Sequence, residues 1–152
     1  MSEPTLRPYR PGDIDKVMLV EDECFPPWQR YSRSTVEALL SMRGSRLIVA
    51  EVNGDIAGYS LGYMEGWSVG HIASLAVRPA YRRRGIGTAL MLRLESELAS
   101  EGAYLVRLEV SVNNEVAKSL YLKLGYRPVR LLPGYYSGVE DGLLMEKELP
   151  DS

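Results

Sequence analysis

The stretch Arg82-Arg83-Arg84-Gly85-Ile86-Gly87-Thr88 concentrates more potential chemistry than any other part of the chain. It follows an apolar run closed by Pro79 and leads into a long helical pattern. Glycines at such a junction let backbone N–H groups converge on an anion, because no side chain blocks the approach. The orphan N–H groups and positive dipole end of a helix add to the attraction, and the arginines supply charge suited to phosphate. The combination fits a pyrophosphate; the plain alternative is an Arg-rich surface loop capping an unrelated helix. It is not a Walker A loop, which ends in Gly-Lys-Ser/Thr, nor a dinucleotide fingerprint, whose third glycine position holds Leu90. A second candidate is Glu109, a carboxylate set into an apolar strand. His71 is the only histidine and Cys24 the only cysteine. They form no Cys/His cluster and no His-x₃-His pair exists, so no metal site is expected.

These residues need a scaffold, and the apolar periodicity outlines one. Leu6 to Tyr9 reads as a short strand stopped by Pro11-Gly12. Asp13 then caps a helix with Ile14, Val17 and Met18 on one face, and Phe25-Pro26-Pro27-Trp28 ends it. Ser34-Thr35-Val36-Glu37 has capping-box spacing and opens a second short helix toward Met42. Leu47 to Val52 and Ile56 to about Met64 are strands joined at Asn53-Gly54, a strong hairpin signal. His71 to Val77 is another strand. After the glycine pair comes a helix with Ile86, Leu90, Leu94 and Leu98 on its apolar face, Ala89, Met91 and Leu92 alongside, and a stop at Gly102. From Tyr104 to Val112 the pattern alternates, with Leu105, Arg107, Glu109 and Ser111 opposite the apolar set. A helix from about Asn114 to Leu124 ends at Gly125, and strands near Tyr126 to Leu132 and Gly142 to Leu149 close the chain. Joins through helices suggest parallel pairs and the hairpin an antiparallel one. The expectation is an α/β chain with a mixed sheet of about seven strands and helices on both faces.

Composition narrows the class. The 152 residues suit one domain spanning 1–152, and 45% apolar with 25% charged residues is ordinary for a folded protein. Lys+Arg of 18 against Asp+Glu of 20 gives a formal charge of -2. That balance lacks the footprint of a non-specific nucleic-acid binder. One cysteine excludes an internal disulfide framework and fits a reducing compartment. No apolar run approaches the length of a membrane span, and Met1 to Pro11 has no signal-like apolar core. A cytoplasmic protein with neither membrane nor nucleic-acid partners is expected.

Arg-x-x-Gly-x-Gly after an apolar strand resembles the coenzyme A signature of the GNAT acetyltransferase superfamily. The run from Leu108-Glu109-Val110 through Asn113-Asn114 to Leu120-Tyr121-Leu122-Lys123-Leu124-Gly125-Tyr126 is similar to its second signature. The ending Tyr135-Tyr136-Ser137-Gly138 through Met145 resembles the protein N-terminal acetyltransferase branch, which holds RimI-like enzymes and catalytic subunits of the NatA type. Gly70-His71-Ile72 is similar to archaeal and NatA-type members. The resemblance covers nearly the whole chain, densest from Gly70 to Leu149.

It implies a sheet splayed between two parallel strands, here His71 to Val77 and Tyr104 to Val112, with acetyl-CoA as co-substrate in the split. The pantetheine arm would pair with the backbone of Leu75, Ala76 and Val77, beside a bulge that frees backbone groups. The pyrophosphate would rest on the amides of Arg83, Arg84, Gly85, Ile86, Gly87 and Thr88. Asn114 would contact the pantetheine arm, or serve as a helix cap, or both. Glu109 would be the general base, directly or through water, with a salt bridge to Arg107 as the competing role. Tyr121 would donate a proton to the departing thiolate, with packing under the helix as its alternative. A backbone N–H near Leu75 or Ala76 would hold the oxyanion. His71 would, as an auxiliary, help position a water beside the strand carboxylate, the alternative being an ordinary packed or exposed histidine at a strand start. Phe25 and Trp28 would shape the pocket for the substrate's first side chain, with core packing as the alternative, and Tyr135 and Tyr136, in the loop between the last two strands, would contact its first residues, with exposed hairpin aromatics as theirs.

One departure matters: NatA-type members carry a Glu after Leu-Pro, whereas Phe25-Pro26-Pro27-Trp28 stands nearer the RimI-like Phe-Pro-Trp. The burden of proton transfer therefore shifts to Glu109. A free α-amine, with a pKa near 8, asks roughly 3 kcal/mol less deprotonation than a Lys side chain near 10.4. The implied activity is acetylation of the N-terminal α-amine of proteins or peptides, with a ribosome or auxiliary subunit among the partners such enzymes use. The alternatives are an acetyltransferase of a small amine or Lys side chain, and a CoA-binding module without catalysis.

Overall fold

A computed structural model describes residues 3–150; Met1, Ser2, Asp151 and Ser152 lie outside the described residues. Among the described residues seven strands form one mixed sheet: β1 (Thr5–Pro8), β2 (Arg46–Val52), β3 (Asp55–Glu65), β4 (Val69–Val77), β5 (Leu105–Ser111), β6 (Arg127–Tyr136) and β7 (Glu140–Glu148). Their order across the sheet is β1-β2-β3-β4-β5-β7-β6. Among the described residues only β4 and β5 run parallel, and they are joined through α3 (Ile86–Ser100), as a parallel pair requires a crossover. Asn53 and Gly54 carry φ of 52° and 81°, so the β2–β3 hairpin has the left-handed pair that this dipeptide allows.

Helices α1 (Ile14–Cys24) and α2 (Arg33–Leu40) cover one face, packing Ile14, Val17, Val20 and Val36 on Val49, Tyr59 and Leu61. On the other face α3 buries Ile86, Leu90, Met91, Leu94 and Leu98, and α4 (Glu115–Lys123) adds Tyr121. Full burial of a Leu or Ile side chain is worth about 2 kcal/mol, so the α3 stripe anchors the glycine turn that precedes it. Leu92, placed alongside that stripe by its spacing, is instead exposed.

Three local expectations need correction. Asp13 stands at the α1 cap position, but its carboxylate accepts from Arg10 N–H and Arg7 and leaves the α1 amides alone. Ser32, rather than Ser34, caps α2, accepting from Thr35 N–H at 3.2 Å; its extended backbone opens the turn that Ser34 already lies within. Tyr135 and Tyr136 belong to β6 itself, because pairing with β7 persists to Tyr136↔Glu140 across an irregularity after Leu132.

Candidate active site

Strands β4 and β5 pair only from Val69↔Leu105 to Ile72↔Leu108. Beyond that rung β4 keeps β3 as its neighbour, with Leu75 opposite Ser60 and Ala76 opposite Tyr59, while β5 continues alongside β7 to Ser111↔Gly142. The two strands therefore diverge toward their C-terminal ends and leave the β4 edge at 73–77 without a strand partner on that side. A bulge does stand on β4, but at Ala73, upstream of Leu75–Val77. It brings Ala73 and Ser74 to the same face, and the Ala73 carbonyl accepts from Tyr31 OH at 3.1 Å.

The glycine turn lies next to this gap. Arg83 (φ 65°) and Gly85 (φ 78°) are left-handed, and such residues gather successive N–H groups into an anion-binding concavity. The Gly85 carbonyl accepts the first α3 bond, from Ala89 N–H at 3.0 Å, so the N–H groups of Ile86, Gly87 and Thr88 precede the intrahelical ladder. A Cβ at Gly85 would meet nothing within 4 Å, whereas one at Gly87 would sit 3.4 Å from Leu120 Cδ2 and 3.8 Å from Val77 Cγ2. Gly85 faces open space above the helix end, and Gly87 lets that end pack closely against β4 and α4. Arg82 Nε donates to the Val77 carbonyl at 2.8 Å; Arg83 and Arg84 are exposed. The turn thus offers amides, dipole and cations to a diphosphate.

Where the strands part, three acidic or basic side chains meet. His71 Nε2 lies 2.7 Å from Glu109 Oε1, and His71 Nδ1 bonds Glu65. Tyr63 stacks on the imidazole, ring centroids 5.2 Å apart. Burial alone would lower the His71 pKa, but the hydrogen bonds and charges of Glu109 and Glu65 outweigh it and hold it above the usual 6.5. Arg107 turns away from Glu109, toward Glu65 at 3.6 Å and Glu146 at 3.2 Å.

These groups open into a cleft of about 300 Å³ lined by residues of α1, the α1–α2 loop, β4, β5, α4 and the end of β6. Phe25, Trp28, Leu75, Glu109, Asn114, Tyr121, Tyr135 and Tyr136 all border it. Asn114 caps α4, accepting from Ala117 N–H at 3.1 Å, so it fills its capping role while facing the cleft. Tyr121 is buried, edge-on to Tyr126, and burial pushes its phenol well above the usual 10. It keeps its proton at neutral pH. Tyr135 and Tyr136 meet edge to face at 4.9 Å, and Tyr135, half-buried beside the Glu109 charge, is pushed up to about 12. Glu140 fastens the mouth of the cleft: it accepts from Trp28 Nε1 and Asn113 Nδ2, both at 2.9 Å, and from Gln29.

Two participants went unnoticed in the sequence. Glu21, only 1% exposed, accepts from Tyr59 OH, Ser74 Oγ and Tyr31 N–H, and Tyr31 then reaches the bulge. Its signal was present: Glu21 falls seven residues after Ile14 and four after Val17, on the apolar stripe of α1. Glu65 carries no such signal, because only the register of β3 and β4 brings it to His71. Among the described residues no group of three or more His, Cys, Asp or Glu could hold a metal ion, and no helix is long and apolar enough to cross a membrane.

Comparison with known proteins bears on this geometry. The pattern of the acetyltransferase (GNAT) family matches residues 14–126. The chain is 40% identical over 149 residues to an uncharacterized N-acetyltransferase of Methanocaldococcus jannaschii, covering 97% of this chain and 93% of that protein. It is 44% identical over 147 residues to N-alpha-acetyltransferase 20 of Dictyostelium discoideum, covering 93% and 80% respectively. The crystal structure of Ard1 from Thermoplasma volcanium superposes with a TM-score of 0.91 at 27% identity, covering 97% of this chain and 99% of that one.

Proposed function

The chain belongs to the acetyltransferase (GNAT) family, and we propose that it transfers the acetyl group of acetyl-CoA to the N-terminal α-amine of proteins or peptides. The observation that carries this reading is the Glu109–His71 pair, 2.7 Å apart, at the point where β4 and β5 separate. On one side lies a turn of bare amides, on the other an aromatic cleft. The relative in Dictyostelium discoideum is named an N-alpha-acetyltransferase, as are relatives in Sulfurisphaera tokodaii and Saccharolobus solfataricus. The whole of 1–152 is taken as one catalytic domain working in the cytoplasm.

Acetyl-CoA supplies an activated carbonyl and a thiolate leaving group. Arg83 to Thr88 would hold its diphosphate on backbone N–H groups, and the β4 edge at Leu75, Ala76 and Val77 would pair with its pantetheine arm. Phe25, Trp28, Tyr135 and Tyr136 would receive the peptide's first residues and orient its amine toward Glu109. An ammonium has no lone pair, so Glu109 removes one proton before attack. The oxyanion that attack creates would be met by a backbone N–H near Leu75 or Ala76. Tyr121, protonated at neutral pH, would donate to the departing sulfur and block reversion of the tetrahedral intermediate. One proton per turnover leaves by way of Glu109.

A panel of peptides varying only in the first residue, incubated with acetyl-CoA and read by mass, tests the reading. Acetylation confined to free N-termini is expected. Equal acetylation of internal Lys in N-terminally blocked peptides would overturn it in favour of a side-chain enzyme.

A further inference from the structure

Glu65 is the charged neighbour of the site that the reaction above leaves without a task. It ends β3, and its carboxylate bonds His71 Nδ1 with one oxygen while the other lies 3.6 Å from Arg107 Nη1. Arg107 is itself drawn 3.2 Å from Glu146. A carboxylate only accepts, so the Nδ1 hydrogen points to Glu65. With Tyr63 stacked on the ring, the imidazole is held by its plane and by one nitrogen. The other nitrogen, Nε2, faces Glu109.

Energetics give that arrangement a purpose. An isolated Glu titrates near 4.3 and an α-ammonium near 8, a mismatch of roughly 3.7 units. An imidazole near 6.5 removes more than half of it. We propose that Glu65 is a positioning residue of acetyl transfer: by accepting the Nδ1–H of His71 it fixes the tautomer whose Nε2 takes up the proton that Glu109 withdraws from the substrate ammonium. The inference rests on the reaction proposed above. The proton leaves the amine nitrogen for a Glu109 oxygen, moves to Nε2, and goes to solvent after product release. The second amine proton follows attack and ends on the CoA sulfur through Tyr121. No bond other than N–H, O–H and S–H is involved in this traffic.

The charges around the ring favour such a cation. Tyr63 and Glu65 face it from β3, Arg107 and Glu109 from β5, Glu146 stands behind Arg107 on β7, and Tyr135 of β6 faces Glu109. Two carboxylates, Glu65 and Glu146, flank the one guanidinium and a third, Glu109, lies against the ring, so a proton on His71 balances the cluster better than a neutral ring. Burial opposes that charge and the carboxylates prevail.

His71 is the only histidine, so its C2–H proton resonance titrates without ambiguity and without substrate. In Glu65→Gln the midpoint is expected to fall, because one of the two carboxylates that raise it is gone while Glu109 remains. The acidic limb of kcat/KM should move to lower pH in step, with kcat down about tenfold at its plateau and KM for acetyl-CoA unchanged. Glu65→Asp, which keeps the charge but withdraws it by one methylene, should fall between, and it carries the same test should the Gln variant not fold. An unmoved NMR midpoint together with an unmoved acidic limb would overturn the proposal. Failure of the unmodified enzyme to acetylate any free peptide N-terminus is a different result, and sinks the substrate reading instead.

Discussion

Substituting Glu21 separates the charge of a buried carboxylate from the hydrogen bonds it accepts. The side chain is 1% exposed and takes bonds from Tyr31 N–H at 2.9 Å, Ser74 Oγ at 3.2 Å and Tyr59 OH. Burial lifts its pKa above the usual 4.5, with the three donors pulling part of the way back. An acid whose pKa is raised by folding supports the fold fully below about 4.5, and that support is lost as pH rises through the folded value. Glutamine does not titrate. It can accept from Tyr31 with its oxygen and donate to the two hydroxyls, which are free to turn. Glu21→Gln should therefore match the parent within about 1 kcal/mol at pH 4 and be the more stable of the two at pH 8. Glu21→Ala leaves donors behind. The hydroxyls of Tyr59 and Ser74, 3.1 Å apart, can bond each other, but the Tyr31 amide cannot. One buried orphan donor costs about 1–3 kcal/mol, and lost packing brings the total to roughly 3 kcal/mol, or about 10 °C in Tm for a chain of this size. Thermal and urea unfolding followed by circular dichroism at both pH values measures all three proteins. An alanine variant as stable as the glutamine one, or a glutamine-to-parent difference that ignores pH, would refute the reasoning.

Glu109→Gln should lower kcat by about 10²–10⁴ with KM for peptide changed little; parental activity in this variant would remove Glu109 from the chemistry. Gly87→Val adds methyl groups where a Cβ already stands 3.4 Å from Leu120, so calorimetry should find CoA binding weakened at least about tenfold. Gly12→Ala, which meets nothing within 4 Å, is the control and should bind CoA normally. Replacing Tyr135 and Tyr136 together by Ala should depress kcat/KM for peptides while leaving CoA affinity intact, and equal loss of both would mean that the β6–β7 end merely holds the fold together.

Local rules carried much of this architecture. Asn53-Gly54 dictated a left-handed pair, the alternation from Tyr104 to Val112 matched β5, and Gly85, just before Ile86, stood at a helix start open to solvent. What escaped was set by distant partners. Tyr135 and Tyr136 continue β6 only because β7 lies beside them, and no propensity in Pro133-Gly134 announces it. The bulge at Ala73 depends on the β3–β4 register, which no run of residues in β4 encodes. The Glu109–His71–Glu65 chain joins three strands whose register is settled by the packing of α3 beneath them. Sequence pointed to Glu109 and His71 separately, with His71 positioning a water beside the strand carboxylate; the parallel pairing His71↔Arg107 places the two in direct contact. Glu21 was legible in principle, since an acid on an apolar helical stripe needs a partner.

The weld between β4 and β5 is four rungs long, and its shortness has a mechanical meaning. On one side of it β1 to β4 form a plate, on the other β5, β7 and β6 form a second, and under α3 the two share a core that includes Ile72 and Leu108. Past the last rung nothing in the sheet ties plate to plate. Whatever lodges there bridges both halves at once, like a wedge driven into split timber that has been shaped to receive it. A ligand at a hundredfold its Kd adds about 2.7 kcal/mol to folding stability, and here that increment falls on the one line where the sheet is discontinuous. The protein is therefore stiffest with its cleft filled and most compliant each time the cleft empties.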